Sequence, residues 1–190
     1  EALKSSAQIQ TKILMKEVKK IKIMALLELK KEDEAEEALY QYMKEYPGEW
    51  DTKLTLARLL KKTNKRKEAV KIFKDIYIRA VPLSMDALGE LKAMNEDKFT
   101  LEEILGRAEN LFKKGNFQRA EVAYKKAFKY VKLPAEKNKI RFSIGMCQFR
   151  QKQYSNAAKN FELIKDSEAA YWTARSFYRI NDMTGFNIVM

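Results

Sequence analysis

The stretch from Leu111 to Phe128, LFKKGNFQRAEVAYKKAF, constrains the fold more than any other. Small and apolar residues recur at three- and four-residue steps on both sides of a Gly-Asn pair, which is the period of a helix and not of a strand. Gly115 can take the left-handed backbone conformation that ends a helix. The stretch therefore reads as a helix, a tight turn and a second helix. Phe117 packs over the turn. Ala108 and Ala120 are small enough to let two helix backbones approach, and Tyr124 and Ala127 fill the seam one and two turns later.

The pattern is echoed along the chain. LTLARLLKKTNKRKEAVKIFKDI carries Leu56, Ala57, Leu60, Ala69 and Phe73 at matching offsets, and FSIGMCQFRQKQYSNAAKNFELI carries Ile144, Gly145, Tyr154, Ala157 and Phe161. AAYWTARSFYRIND supplies a further first helix with Ala174 and Phe177, and LYQYMKEYP, after Ala38, looks like an earlier second helix. Helices are expected near 5–31, 33–46, 50–63, 66–80, 84–94, 101–114, 117–131, 135–151, 154–165, 168–180 and 183–190. Ala38, Ala69, Ala120 and Ala157 mark the repeat, 31, 51 and 37 residues apart. The long gap holds an extra short helix, LSMDALGELKAM. AMNEDKFT is the natural joint between residues 1–94 and 95–190, with Thr100 as the cap of the next helix and Glu103 at its capping-box position. The two parts are expected to form one continuous solenoid.

This spacing resembles the tetratricopeptide repeat, a helical hairpin of about 34 residues. The expected fold is all-α, a right-handed superhelix of antiparallel helical hairpins. The order of segments also resembles the N-terminal helical superhelix of soluble lytic murein transglycosylases, over roughly residues 20–182. A repeat unit, an irregular helix, an entry into RAENLF, two further units and a YW-x-AR helix at Tyr171–Arg175 follow in turn. That resemblance implies a bacterial periplasmic or envelope protein whose catalytic domain is absent from this chain. It also implies peptidoglycan, or that missing domain, as partner. The family's catalytic Glu-Ser dipeptide occurs nowhere here, so no catalytic residue is carried over, and whether the parent is an enzyme stays open. Glu1 and the ending FNIVM read as the edges of a piece of a larger protein. The alternative is a free-standing tetratricopeptide adaptor that binds a protein or peptide.

The residue types narrow the chemistry. There is no histidine, so Ser-His and Cys-His pairs and nearly all zinc sites are excluded. The single Cys147 has no partner for an internal disulfide and reads as a small packed side chain. The acidic run KKEDEAEEA sits where one helix ends and the next begins, which suits a solvated first turn. No catalytic, metal or cofactor site is expected. Lysine and arginine total 38 against 26 acids, a formal charge of +12, with KEVKKIK, KKTNKRK and KYVKLPAEKNKIR the densest stretches. They are spread over several helices, so a solvated surface is favoured over a nucleic-acid site. The apolar runs are too short to span a bilayer.

A ligand groove on the first helices is the remaining candidate. The repeat register places Phe112 and Lys113 there, then Phe142, Met146, Phe149 and Arg150, then Tyr171, Arg175, Tyr178 and Arg179. Arg58, Lys61 and Lys62 hold like positions earlier. Aromatics beside arginines suit an extended polar ligand. The competing reading is that these aromatics pack against the next helix. Trp172 is expected to face the core.

Overall fold

The computed structural model describes residues 2–181, with side chains from residue 10 onward. Among the described residues the chain is all-helical: α1 (Ala2–Glu28), α2 (Glu32–Glu45), α3 (Trp50–Lys62), α4 (Arg66–Arg79), α5 (Ser84–Ala93), α6 (Leu101–Lys113), α7 (Phe117–Phe128), α8 (Pro134–Arg150), α9 (Tyr154–Glu162) and α10 (Ser167–Arg179). Each helix expected from periodicity is present except that over 183–190, which lies outside the described residues. The contacts divide the chain into two compact units, Glu1–Asp97 and Lys98–Met190.

One turn geometry recurs in both units. Lys30, Asn64, Asn95, Gly115, Lys152 and Asn181 all have positive φ, between 57° and 75°. Each stands just past a helix end. At Gly115, the Asn116 N–H donates to the Leu111 carbonyl at 2.9 Å and the Gly115 N–H to the Phe112 carbonyl at 2.9 Å. These are the two bonds that close a helix around a left-handed residue. The same pair forms at Lys30, Asn64, Asn95 and Lys152. In four of these turns the next helix begins two residues later, which joins α1 to α2, α3 to α4, α6 to α7 and α8 to α9 as antiparallel hairpins. Sequence reading identified the glycine; the lysines and asparagines do the same job at some backbone cost.

Counting from these turns aligns the cores. In the second helix of each hairpin, positions five, nine and twelve after the turn residue are Ala35, Leu39 and Tyr42; Ala69, Phe73 and Ile76; Ala120, Tyr124 and Ala127; and Ala157, Phe161 and, just past the end of α9, Ile164. All are buried. The repeat-marking alanine of the first hairpin is thus Ala35, not Ala38, which is only half-buried. The first interval, Ala35 to Ala69, is therefore 34 residues, the standard length, and not 31.

In the first helices, the position seven before the turn is Ala57, Ala108, Gly145 or Ala174, and Ile23 in α1. Small size is most demanding at Gly145, where an added Cβ would lie 2.7 Å from the Phe161 ring. Phe161 is fully buried against Phe142 at 5.3 Å and Trp172 at 6.3 Å between ring centres. Trp172 is half-buried against this cluster, as expected of a core-facing ring. Behind it runs a polar network. Gln148 and Gln151 each donate to Glu121, at 2.9 and 2.8 Å, and Asn160 donates to Gln148 at 2.8 Å. At the start of the second unit, Thr100 caps α6: its hydroxyl accepts from the Glu103 N–H at 3.2 Å while the Glu103 carboxylate accepts from the Thr100 N–H at 2.8 Å.

Candidate functional site: the first-helix face of the second unit

The charged stretches of the first unit are occupied with one another. KKTNKRK forms the α3–α4 turn, and its cations reach carboxylates on both sides. Lys62 pairs with Glu32 at 2.6 Å and Lys65 with Glu36 at 2.6 Å, both within the acidic run that opens α2. Arg58 donates to Glu90 of α5 at 2.8 Å, and Lys61 to the other oxygen at 2.9 Å. The Lys61 hydrogen bond, opposed by burial and reinforced by Arg58, holds the Glu90 carboxyl below its ordinary range. Arg58, Lys61 and Lys62 are therefore each engaged with a carboxylate of the chain. KEVKKIK behaves alike: Lys16 and Lys20 pair with Glu49 at 2.7 and 2.8 Å, and Lys19 with Glu45 at 2.6 Å.

In the second unit the expected groove residues separate into two groups. Phe112 leans edge-on to Phe117 at 5.3 Å. Phe142, Met146 and Phe149 pack against the Ala157–Phe161–Ile164–Ala169 cluster. Phe149 is held between Tyr154 at 5.1 Å and Trp172 at 5.0 Å, both edge-on. Phe142 and Phe149 thus serve packing, against Phe161 of α9 and the Trp172 ring of α10. On α10 itself the same register positions face outward: Tyr171 is 56% exposed and Tyr178 64%. Arg175 lies between them along the helix. Its guanidinium stands 5.1 Å from the Trp172 ring and 5.7 Å from Phe149, and it donates to the Tyr171 hydroxyl at 3.1 Å. Arg150 and Arg179 are exposed.

A cavity of about 330 Å³ opens between α6, α7 and α8, lined by Leu101, Leu105, Tyr124, Val131 and Ile140 with Glu109, Glu136, Lys139 and Ser143 at its polar edge. Burial, with the Glu109 carboxylate adding to it against a hydrogen bond with Ser143, pushes the Tyr124 phenol up to about 12, so it stays protonated as an uncharged wall. Leu105 and Glu109 hold the α6 positions that Phe142 and Met146 hold in α8, and Tyr171 and Arg175 in α10. Of α6, periodicity points to Phe112 and Lys113 and not to Leu105 or Glu109, although the shared register marks both. Cys147 is fully buried, and that burial, with the Glu121 charge nearby, pushes its thiol up to about 12, which leaves it a packing group.

Models of the tetratricopeptide repeat match residues 26–78 and 105–167. The chain carries tetratricopeptide repeats in both units. The first match runs from the end of α1 through α4, and the second covers α6 to α9. Among solved structures, a tetratricopeptide repeat protein from Parabacteroides merdae is 15% identical with a TM-score of 0.42, over 92% of this chain and 63% of that one. Pseudomonas aeruginosa pilF is 14% identical with a TM-score of 0.42, over 92% and 72%. A mutant of MamA is 10% identical with a TM-score of 0.41, over 93% and 98%. The chain thus spans 63% of the length of the first of these structures. No curated protein matches it. Tetratricopeptide hairpins are protein-interaction scaffolds, and among the described residues no helix is long and apolar enough to cross a membrane.

Proposed function

We propose that the chain is a tetratricopeptide docking module that holds an extended segment of a protein partner along the first-helix face of its second unit. The observation that carries this is the cavity between α6, α7 and α8. Its apolar walls suit one buried side chain of the partner, and the carboxylates of Glu109 and Glu136 at its edge suit a basic residue beside it. Tyr171, Arg175 and Tyr178 on α10 add a stacking surface on which the guanidinium is already oriented by the rings beneath it.

Selection of peptides from a random display library on the chain tests the reading. Enriched peptides are expected to carry an apolar residue next to lysine or arginine. Their affinity, measured by calorimetry, should fall at least tenfold in Leu105→Asp and more modestly in Tyr178→Ala. Lys159→Ala, which removes an exposed charge from α9, should leave it unchanged. Enriched peptides that bind Leu105→Asp and Tyr178→Ala as well as the parent chain would sink the proposal.

The narrower reading, an accessory domain of an envelope transglycosylase with a peptidoglycan ligand, draws its support from segment order. The same calorimeter separates the two: muropeptides that bind the chain and are lost in Tyr178→Ala would favour it, whereas peptide binding alone favours the adaptor.

A further inference from the structure

α1 is apolar on two faces. Ile23 and Leu26 are buried on the side that meets α2. On the opposite side Leu14, Val18 and Ile21 are 64%, 51% and 59% exposed, and Ala25 beside them is exposed too. Their four-three-four spacing puts them on one line along the helix. The repeat register shows what such a line is for. Val18 and Ala25 stand twelve and five residues before the turn residue Lys30. The equivalent positions are Thr52 and Leu59 in α3, Ile140 and Cys147 in α8, and Ala169 and Ser176 in α10, all buried, and Glu103 and Asn110 in α6, both half-buried. In α1 alone of these five helices both positions are exposed. The helix is also 27 residues long against 14 for α2, and Ile13, Leu14 and Met15 are all exposed. A helix gains most of its stability from packing an apolar face.

The charges beside the line say what covers it. Taking Val18 and Ala25 as positions a of a heptad puts Leu14 and Ile21 at d, Glu17 at g and Lys22 at e. Two such helices side by side in parallel bring each Glu17 against Lys22 of the other copy, five residues on, the usual g-to-e pairing. Val18 at a with Leu14 at d fits a two-stranded pair, and the small Ala25 at the second a lets two helices approach closely. An anionic lipid surface fits less well. Glu17 and Glu28 flank the line, and Lys16, Lys19 and Lys20 are committed to Glu45 and Glu49 on the other side of the helix. We propose that α1 is a dimerisation helix, whose open line Leu14–Val18–Ile21–Ala25 pairs in parallel with the same line of a second copy of this chain.

Sedimentation velocity on the whole chain tests this. The expected species at about 100 µM is a dimer of the 22.3 kDa chain. Val18→Asp with Ile21→Asp should weaken it at least tenfold while the circular dichroism and melting of the remaining helices are kept. Glu17→Lys and Lys22→Glu alter only exposed side chains, so loss of folding is not at issue. Each alone should weaken the dimer, and a mixture of the two variants should form heterodimers in preference to either homodimer. A chain that stays monomeric at that concentration overturns the proposal, whether or not α1 then takes up lipid or another protein. So does a dimer that survives Val18→Asp with Ile21→Asp, or charge variants that mix at random.

Discussion

Single residues carry the tightest constraints at Gly145 and Lys152. Alanine is the better helix former by about 1 kcal/mol, so Gly145→Ala ought to stabilise α8 in isolation. In the folded chain its Cβ would meet the Phe161 ring, which Phe142 and Trp172 hold in place. Overpacking of this kind costs about 1–3 kcal/mol, so the variant is expected to be less stable by urea denaturation. At Lys152 the sign reverses. A lysine at φ 63° bears the steric cost of the left-handed region, and glycine does not. Lys152→Gly is expected to raise stability by about 1 kcal/mol, readable as a higher denaturation midpoint with unchanged slope. Glu121 adds a pH dependence. Burial pushes its carboxyl up, but the hydrogen bonds from Lys125, Gln151 and Gln148 together outweigh this and hold it below its ordinary value of 4.5. Its contribution is therefore complete above that value and is lost as pH falls through the lower folded-state value. Glu121→Gln should flatten the acid limb of a stability–pH profile; an unchanged limb would show that the network does not couple to protonation.

At the scale of elements, the hairpin seams are set by four alanines at one register position. Ala120 and Ala157 are fully buried where two helices meet. Leucine at either place must part the helices, and a loss of about 1–3 kcal/mol is expected for each. Ala35→Leu should cost as much, and Ala38→Leu distinctly less, because Ala38 is only half-buried. Equal effects at 35 and 38 would restore the 31-residue register. The inserted helix α5 also acquires a role at this scale. Glu90 on it gathers Arg58 and Lys61, and the Arg66 guanidinium donates to the Met94 carbonyl at its end. The extra helix thus covers the basic side of the α3–α4 hairpin.

For the molecule as a whole, each unit has a buried core of its own, Leu39, Leu56, Leu60 and Phe73 in the first, Leu111, Cys147 and Phe161 in the second. Residues 98–190 expressed alone are expected to unfold in one cooperative transition with near-native helical content. The net charge of +12 is a solubility property more than a recognition signal, since the two basic stretches nearest the N-terminus are spent on carboxylates of the same unit.

The all-helical class, the hairpins, the Gly115 turn and the Thr100 capping box were legible in the residues, because each depends on neighbours within about a turn of helix. Periodicity, a left-handed glycine and a Thr-x-x-Glu box are local physics. The first hairpin's register was not legible, since Ala35 and Ala38 lie on neighbouring faces of one helix and only the partner helix decides which is covered. The fate of the charges was decided the same way. KKEDEAEEA and KKTNKRK are far apart in sequence, and folding brings Glu32 and Glu36 onto Lys62 and Lys65. Likewise Phe149 and Tyr178 are equivalent in the repeat, yet one is packed under Trp172 and the other is exposed. Local sequence determined that helices form and where they turn. Burial is a property of pairs of helices, and only the tertiary structure could assign it.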